Sequence, residues 1–369
     1  MNILILNWRD PKNTKSGGAE IVTLEHAKAW VKKGHTVTWF TSKFGGAKEK
    51  EEMVGVNIVR RGSFLTVYLY APFFYFFSKQ KFDVVIDEIH GIPFFTPIYV
   101  RKPKIAFIHE VAGEIWGYMF PFPIDKIGKI IESLYFKLYK NVMFWTDADS
   151  TINDIVNKGI RRENCVAISC PASNKPLPDL PIKEKIPTFI FVSRVVKMKG
   201  IGDVIRAFFY ILRELKDAKL WIVGDGEKKY IEEMKGKMID YSISTKVNFF
   251  GRVSEKEKLE LMRKAHILLH ASVKEGWGLV VIEAASQGTP SVVYDVSGLK
   301  DSVKNGKTGI VLKKNISKEM AREAVILLRD KERYRNYQIN ALSWAKNLTW
   351  EKATSKSLKL LTEVKSKLK

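Results

Sequence analysis

The run Thr188-Phe189-Ile190-Phe191-Val192-Ser193-Arg194-Val195-Val196-Lys197-Met198-Lys199-Gly200 decides how the rest of the chain is read. Thr188–Ser193 is short, uncharged and rich in aromatic and β-branched side chains, the pattern of a strand covered on both faces. It ends in a basic loop closed by a glycine. Further runs of the same kind recur at Leu220–Val223, Val247–Phe249, Ile267–Leu269, Ser291–Val293 and Gly309–Leu312, with helical stretches between them. That alternation predicts βαβ crossovers and a mostly parallel sheet with helices on both faces. Upstream the pattern is repeated at Ile3–Asn7, Thr36–Phe40, Val56–Val59, Val84–Ile86, Ile105–Ile108 and Val142–Trp145. Between the two sets, residues 171–187 hold five prolines and no hydrophobic period, the composition of a stiff linker. The class is α/β, with two doubly wound domains expected at residues 1–175 and 186–348. After Lys318 the chain reads as consecutive helices with a break near Asn347–Thr349, and 349–369 is expected as a helix crossing back to the first domain.

A length of 369 residues suits two domains, and 46% hydrophobic with 28% charged residues excludes disordered, collagenous and polytopic membrane classes. Two cysteines, Cys165 and Cys170, supply neither a disulfide framework nor a complete zinc site, which suits a reducing compartment. The N-terminal NILILNW lacks the layout of a secretory signal, so a cytoplasmic location is expected. The uncharged run Gly62–Ser78 is too short for a membrane span and carries Pro72. A formal charge of +22 calls for an anionic partner. The basic residues are spread along the chain and not gathered in an arm, so phosphorylated small molecules or an anionic membrane fit better than nucleic acid.

Three motifs carry chemistry. Gly17-Gly18-Ala19-Glu20 lies between the first strand and a helix read at Glu20–Lys33, where paired glycines let backbone amides approach a phosphate. A loop needing glycine only for its turn reads equally well, and no G-x-G-x-x-G dinucleotide fingerprint follows the strand. Arg194 and Lys199 stand five residues apart in the loop closing the quoted strand, spaced to clamp a diphosphate or simply to be solvated. Glu275-Gly276-Trp277-Gly278-Leu279-Val280-Val281-Ile282-Glu283 sets two carboxylates eight positions apart across a helix start. The amides near Leu279 and Val280 would bind an anion there. Glu283, one turn further in and flanked by apolar residues, needs hydroxyl partners such as a ribose diol.

Taken in order, GGAE, SRVVKMKG, GDGEKK, VNFFGRV, EGWGLVVIEAASQGTP and NGKTG resemble the retaining glycosyltransferases of family GT4, which have the GT-B fold of two Rossmann-like domains facing a cleft. The resemblance covers essentially the whole chain and is strongest from Phe189 to Gly309. It implies that Arg194 and Lys199 bind the donor diphosphate and that Glu283 holds the ribose. Glu275 would contact the transferred sugar, Gly251-Arg252-Val253 the nucleobase, and Gly278, Leu279 and Val280 the phosphates. Gly17 and Gly18 would complete the phosphate site, and His109, at a strand end, would lie near the donor sugar. The catalytic set so implied is His109, Arg194, Lys199 and Glu275. No cofactor and no metal are implied, the partners being a nucleotide sugar and an acceptor glycan.

The family often shows paired glycines where this chain has Asp295-Val296-Ser297-Gly298-Leu299, and the polar loop Arg9–Ser16 takes no role from the resemblance. Asp147-Ala148-Asp149 looks like the metal-binding D-x-D of another glycosyltransferase fold, but at the opening of a helix read at Thr151–Lys158 it is expected to cap. His90 either lines the cleft or bonds to backbone. The stretch Lys126–Lys140 puts Lys126, Lys129, Lys137 and Lys140 in one arc beside Ile127, Ile130, Ile131, Leu134 and Leu138. Either this helix lies on anionic lipid, which would make the acceptor lipid-linked and the protein peripheral on the inner membrane face, or its apolar side packs on the sheet and its lysines are solvated.

Overall fold

Residues 1–367 are described by the structure, a computed structural model. In chain order the first part holds β1 (Asn2–Leu6), α1 (Gly18–Lys32), β2 (Thr36–Thr41), β3 (Lys50–Met53), β4 (Val56–Arg60), α2 (Val67–Phe77) and β5 (Val84–Ile89). There follow α3 (Thr96–Tyr99), β6 (Lys104–Ile108), α4 (Ile115–Met119), α5 (Ile124–Leu138), β7 (Met143–Thr146), α6 (Asp149–Asn157) and β8 (Cys165–Ala167). The second part holds β9 (Thr188–Val192), α7 (Ile201–Glu214), β10 (Lys219–Val223), α8 (Lys228–Asp240), β11 (Val247–Gly251), α9 (Glu255–Lys264), β12 (Ile267–His270), α10 (Leu279–Ser286), β13 (Ser291–Val293) and β14 (Gly309–Val311). Helices α11 (Ser317–Arg329), α12 (Lys331–Asn347) and α13 (Trp350–Ser366) close the chain.

Two compact units result, one of residues 1–170 with 349–367, the other of residues 171–348. In the first, the sheet order is β3-β4-β2-β1-β5-β6-β7-β8, every pair parallel except β3 with β4. Strands β3 and β8 have no counterpart in the sequence reading, because KEEM and CVA are too polar or too short to show an apolar run. Helix α13 packs on α1: Ser357 Oγ accepts from Trp30 Nε1 at 3.1 Å and lies 2.9 Å from His26 Nδ1. Burial there lowers the His26 pKa to about 3, so this histidine is a neutral core residue.

The second unit is a six-stranded parallel sheet ordered β11-β10-β9-β12-β13-β14. Its core joins Phe189 and Phe191 of β9 to Val204, Ile205 and Phe208 of α7. The proline-rich segment is not a free linker. Leu177 N donates to Ser286 O, Glu184 N to Lys264 O and Lys183 Nζ to Thr289 Oγ1, which straps it along the second unit. Its prolines lack donors, but the residues between them supply enough to lace an extended chain to a neighbouring surface.

Candidate active site

In the second unit the loops that leave the carboxyl ends of β9 and β12 are tied together by backbone. Val273 N donates to Met198 O at 2.9 Å, and Ser272 Oγ donates to the same carbonyl at 3.2 Å. Gly200, with φ +72°, lies so close that a Cβ there would sit 1.9 Å from Ala271 O. Only glycine allows that approach. It brings Lys199 to Glu275: Nζ donates to Oε1 at 2.6 Å, and His270 Nε2 donates to the same oxygen at 2.9 Å. Burial alone would raise the Glu275 carboxyl, but Lys199 and His270 reverse this and hold it well below the usual carboxylate range. Three residues on, Gly278 turns the chain with φ +86° and opens α10, whose first amides, those of Leu279 and Val280, precede the helix's own hydrogen-bond ladder.

Other expected residues are placed differently. Arg194 and Arg252 are exposed, with no ion pair among the described residues. Gly251, at the end of β11, has φ +67° and accepts from Gly224 N at 2.8 Å; Val253 packs on the core beneath. Glu283 is not open to a diol in this structure. Lys258 Nζ lies 2.9 Å from its Oε2, and burial, larger than the attraction of Lys258, raises its pKa. Lys258 escapes a sequence reading because α9 looks like an ordinary charged surface helix. Gly298 takes φ +78°, with Glu275 O where a Cβ would be, so the departure from paired glycines still keeps a glycine where the loop demands one.

The first unit holds a buried chain of charges across the carboxyl ends of β1, β5, β6 and β7. Gly17 and Gly18 form the exposed turn into α1, and Glu20 Oε2 accepts from Gly17 N at 2.6 Å. The other Glu20 oxygen meets Arg9 Nη2 at 2.8 Å. Arg9 Nη2 also lies 3.3 Å from His90 Nδ1, and His90 Nε2 donates to Glu88 at 3.1 Å. His109 then donates from Nε2 to Glu88 at 3.2 Å and from Nδ1 to Asp147 at 2.5 Å. Burial would lower the His109 pKa, yet Asp147 and Glu88 raise it to about 10. Burial would likewise raise Glu88, and its two histidines lower it to about 2. His109 is thus an imidazolium between two carboxylates.

Asp147 is therefore no helix cap, as the D-x-D position had suggested: Ala148 occupies the cap position of α6, and Asp147 points to His109 and Cys170 Sγ. Asp149 is exposed near Arg162. His90 bonds side chains, not backbone. The polar loop after β1 acquires a structural role, since Asp10 accepts from Arg60 at 2.7 and 3.0 Å with both side chains fully buried. Among the described residues, Glu88, His90 and His109 offer ligating atoms within 4.8 Å of one another, the spacing of a metal site. Both His109 nitrogens, however, already donate to carboxylates, which leaves that ring no lone pair for a metal.

Models of two families match adjoining parts of the chain: "Glycosyltransferase Family 4" over residues 16–175 and "Glycosyl transferases group 1" over residues 175–344. An uncharacterized glycosyltransferase of Methanocaldococcus jannaschii is 30% identical over 316 residues, covering 78% of this chain and 76% of that one. The chain is a family 4 glycosyltransferase. Over 157 residues the transferase is also 32% identical to the N-acetyl-alpha-D-glucosaminyl L-malate synthase of Bacillus anthracis, a match spanning 42% of this chain and 39% of that enzyme. The structure of a sucrose-phosphate synthase from Thermosynechococcus elongatus superposes with a TM-score of 0.82 over 98% of both chains, at 16% identity. The transferase has the GT-B fold.

Proposed function

We propose that this glycosyltransferase moves a hexose from a nucleoside diphosphate sugar to a hydroxyl of a lipid-linked or otherwise membrane-borne glycan, with retention of configuration and without an essential metal. The observation that carries the donor half is the Lys199 ammonium, held by Glu275 four residues ahead of the α10 start. As the bond from the sugar C1 to the diphosphate breaks, negative charge grows on the departing oxygen. Lys199, Arg194 and the α10 amides would stabilise that charge more than they stabilise the bound donor, which is what lowers a barrier. They would do the work a metal does elsewhere. His109, a buried cation, would favour the same charge redistribution from the first unit. The acceptor oxygen would enter on the face the diphosphate leaves, its proton departing with the leaving group.

In this reading Glu283 exchanges Lys258 for the ribose hydroxyls when donor binds, and Gly251-Arg252-Val253 borders the base. Gly17 and Gly18 serve the phosphates. Calorimetry of the purified protein against UDP-, GDP- and ADP-sugars tests the donor assignment. Binding of one of them that is lost in Lys199→Ala is expected, and no binding to any would refute it. Turnover that persists in EDTA is expected; its abolition with rescue by manganese would overturn the metal-free reading.

A further inference from the structure

Helix α5 turns a side with a buried charge toward the protein and leaves most of its isoleucine and leucine row outside. Gly128, Glu132, Tyr135 and Phe136 are its buried residues. A Cβ at Gly128 would lie 2.3 Å from the Trp116 ring, so the ring occupies that space. Glu132 Oε2 accepts from Trp116 Nε1 at 2.8 Å and Gly113 N at 2.9 Å. These bonds hold one oxygen of a buried carboxylate whose other oxygen lies 3.6 Å from Lys158 Nζ, and they lock the helix rotation, because turning it would strand that charge. As a result Ile127, Ile130 and Leu134 are turned outward, at 51%, 60% and 58% exposure. Of the apolar row, Ile131 packs against the core, whereas Ile127, Ile130, Leu134 and Leu138 are exposed, so the expectation that the whole row packs on the sheet fails for those four. At 100° per residue the buried side, the apolar row and the lysines Lys126, Lys129, Lys137 and Lys140 form three stripes roughly 120° apart.

Helix α2 repeats the arrangement. Val67 and Ala71 face inward, while Leu69, Phe73 and Phe77 are 68%, 63% and 81% exposed. Both helices cover one side of the sheet. Val85 packs with Val67 and Ala71, and Ile89, on the same side of β5, packs with Tyr135 and Phe136. Single exposed apolar residues mean little, but two helices presenting apolar rows on one side of a unit mark a contact surface.

We propose that this side of the first unit docks on an anionic bilayer, the Ile127–Leu134 and Leu69–Phe77 rows entering the headgroup boundary. The inference rests on the membrane-borne acceptor proposed above and names the surface that would reach it. The charge decides the occupant. Lys126 and Lys137 on α5, Lys140 just past its end, and Arg101 and Lys102 after α3 are exposed and have no ion pair among the described residues. A second copy meeting this surface about a two-fold axis would bring two surfaces of the same positive charge together. An anionic leaflet attracts them instead. No helix among the described residues is long and apolar enough to cross a membrane, so the contact is interfacial.

Flotation of the full chain with vesicles of phosphatidylcholine, with and without phosphatidylglycerol, tests this. Binding that needs phosphatidylglycerol is expected. Each of Lys126, Lys137 and Lys140 changed to Ala should lower partitioning about fivefold, the equivalent of about 1 kcal/mol per charge at such a surface. Ile130→Ser with Leu134→Ser should lower it more than tenfold while thermal unfolding stays unchanged, since neither side chain supports the core. Equal flotation of all variants, or none for the wild type, overturns the proposal. So does a concentration-dependent dimer that those serines abolish in the absence of lipid binding. Donor binding measured by calorimetry is independent of all these changes: its failure would strike the proposed reaction and leave the docking result intact.

Discussion

The His109 imidazolium makes the stability of the first unit fall on the alkaline side. Its pKa is about 10 in the folded chain, against 6.5 for an ordinary histidine. A raised folded pKa stabilises fully below 6.5, and that stability is lost as pH rises through 10. Linkage puts the contribution at about 4 kcal/mol at pH 7 and between about 1 and 2 kcal/mol at pH 9, a loss of about 2 to 3 kcal/mol across that interval. On the acid side the same ion pairs are seen through Glu88, whose pKa of about 2 means stability present above 4.5 and lost as pH falls through 2. The two limbs describe one set of interactions and are not summed. The assay is urea unfolding of the full chain at pH 7, 8 and 9, beside the titration of the His109 ring by NMR. His109→Gln, which keeps a hydrogen-bonding side chain without the titrating charge, should be less stable at pH 7 and should flatten the slope. Wild-type stability that is level from pH 7 to 9, or a His109 ring titrating near 6.5, would refute the reasoning.

Lys199→Ala should cut turnover by a hundredfold or more, since one charge-assisted hydrogen bond contributes about 1.5–3 kcal/mol before gains specific to the transition state; steady-state kinetics at saturating donor check it. Glu283→Gln should weaken free nucleoside diphosphate, whereas Glu275→Gln should weaken chiefly the intact sugar donor, and calorimetry showing equal losses on both ligands would dissolve that division of roles. Arg60→Met strips Asp10 of a fully buried partner and should cost about 3–5 kcal/mol in urea unfolding, far more than the loss of an exposed ion pair such as Lys246–Asp217. Gly200→Ala should prevent the 193–200 loop from closing on Ala271 O, lowering the melting temperature and donor affinity together.

Strand positions were legible because a parallel strand buried on both faces leaves an uninterrupted apolar run, and TFIFVS or VVI has no other economical reading. The same rule explains the two strands that escaped, β3 and β8, which lie at sheet edges with little to bury. Glu275, Lys199 and the α10 start were legible for a related reason: they sit in short loops directly after strands, where sequence order keeps neighbours together. The partners that tune them were not. Glu88 reaches His109 across 21 residues and Asp147 reaches it across 38, so nothing in the local pattern announces the charge that His109 carries. Period-two alternation in DEIH does place Glu88 and His90 on one side of β5 with Asp87 and Ile89 on the other, but it cannot say which strands lie alongside. The rotation of α5 went further against local logic. By composition its isoleucine row belongs inside; a buried glutamate with two donors and a tryptophan seated on Gly128 turn it out. The amino-acid order by itself determined the two α/β units and the loops that carry chemistry, because burial and backbone propensity act locally. Which charges meet, and which apolar face is left for a partner, was decided only by tertiary packing, because both depend on groups that the chain brings together from far apart.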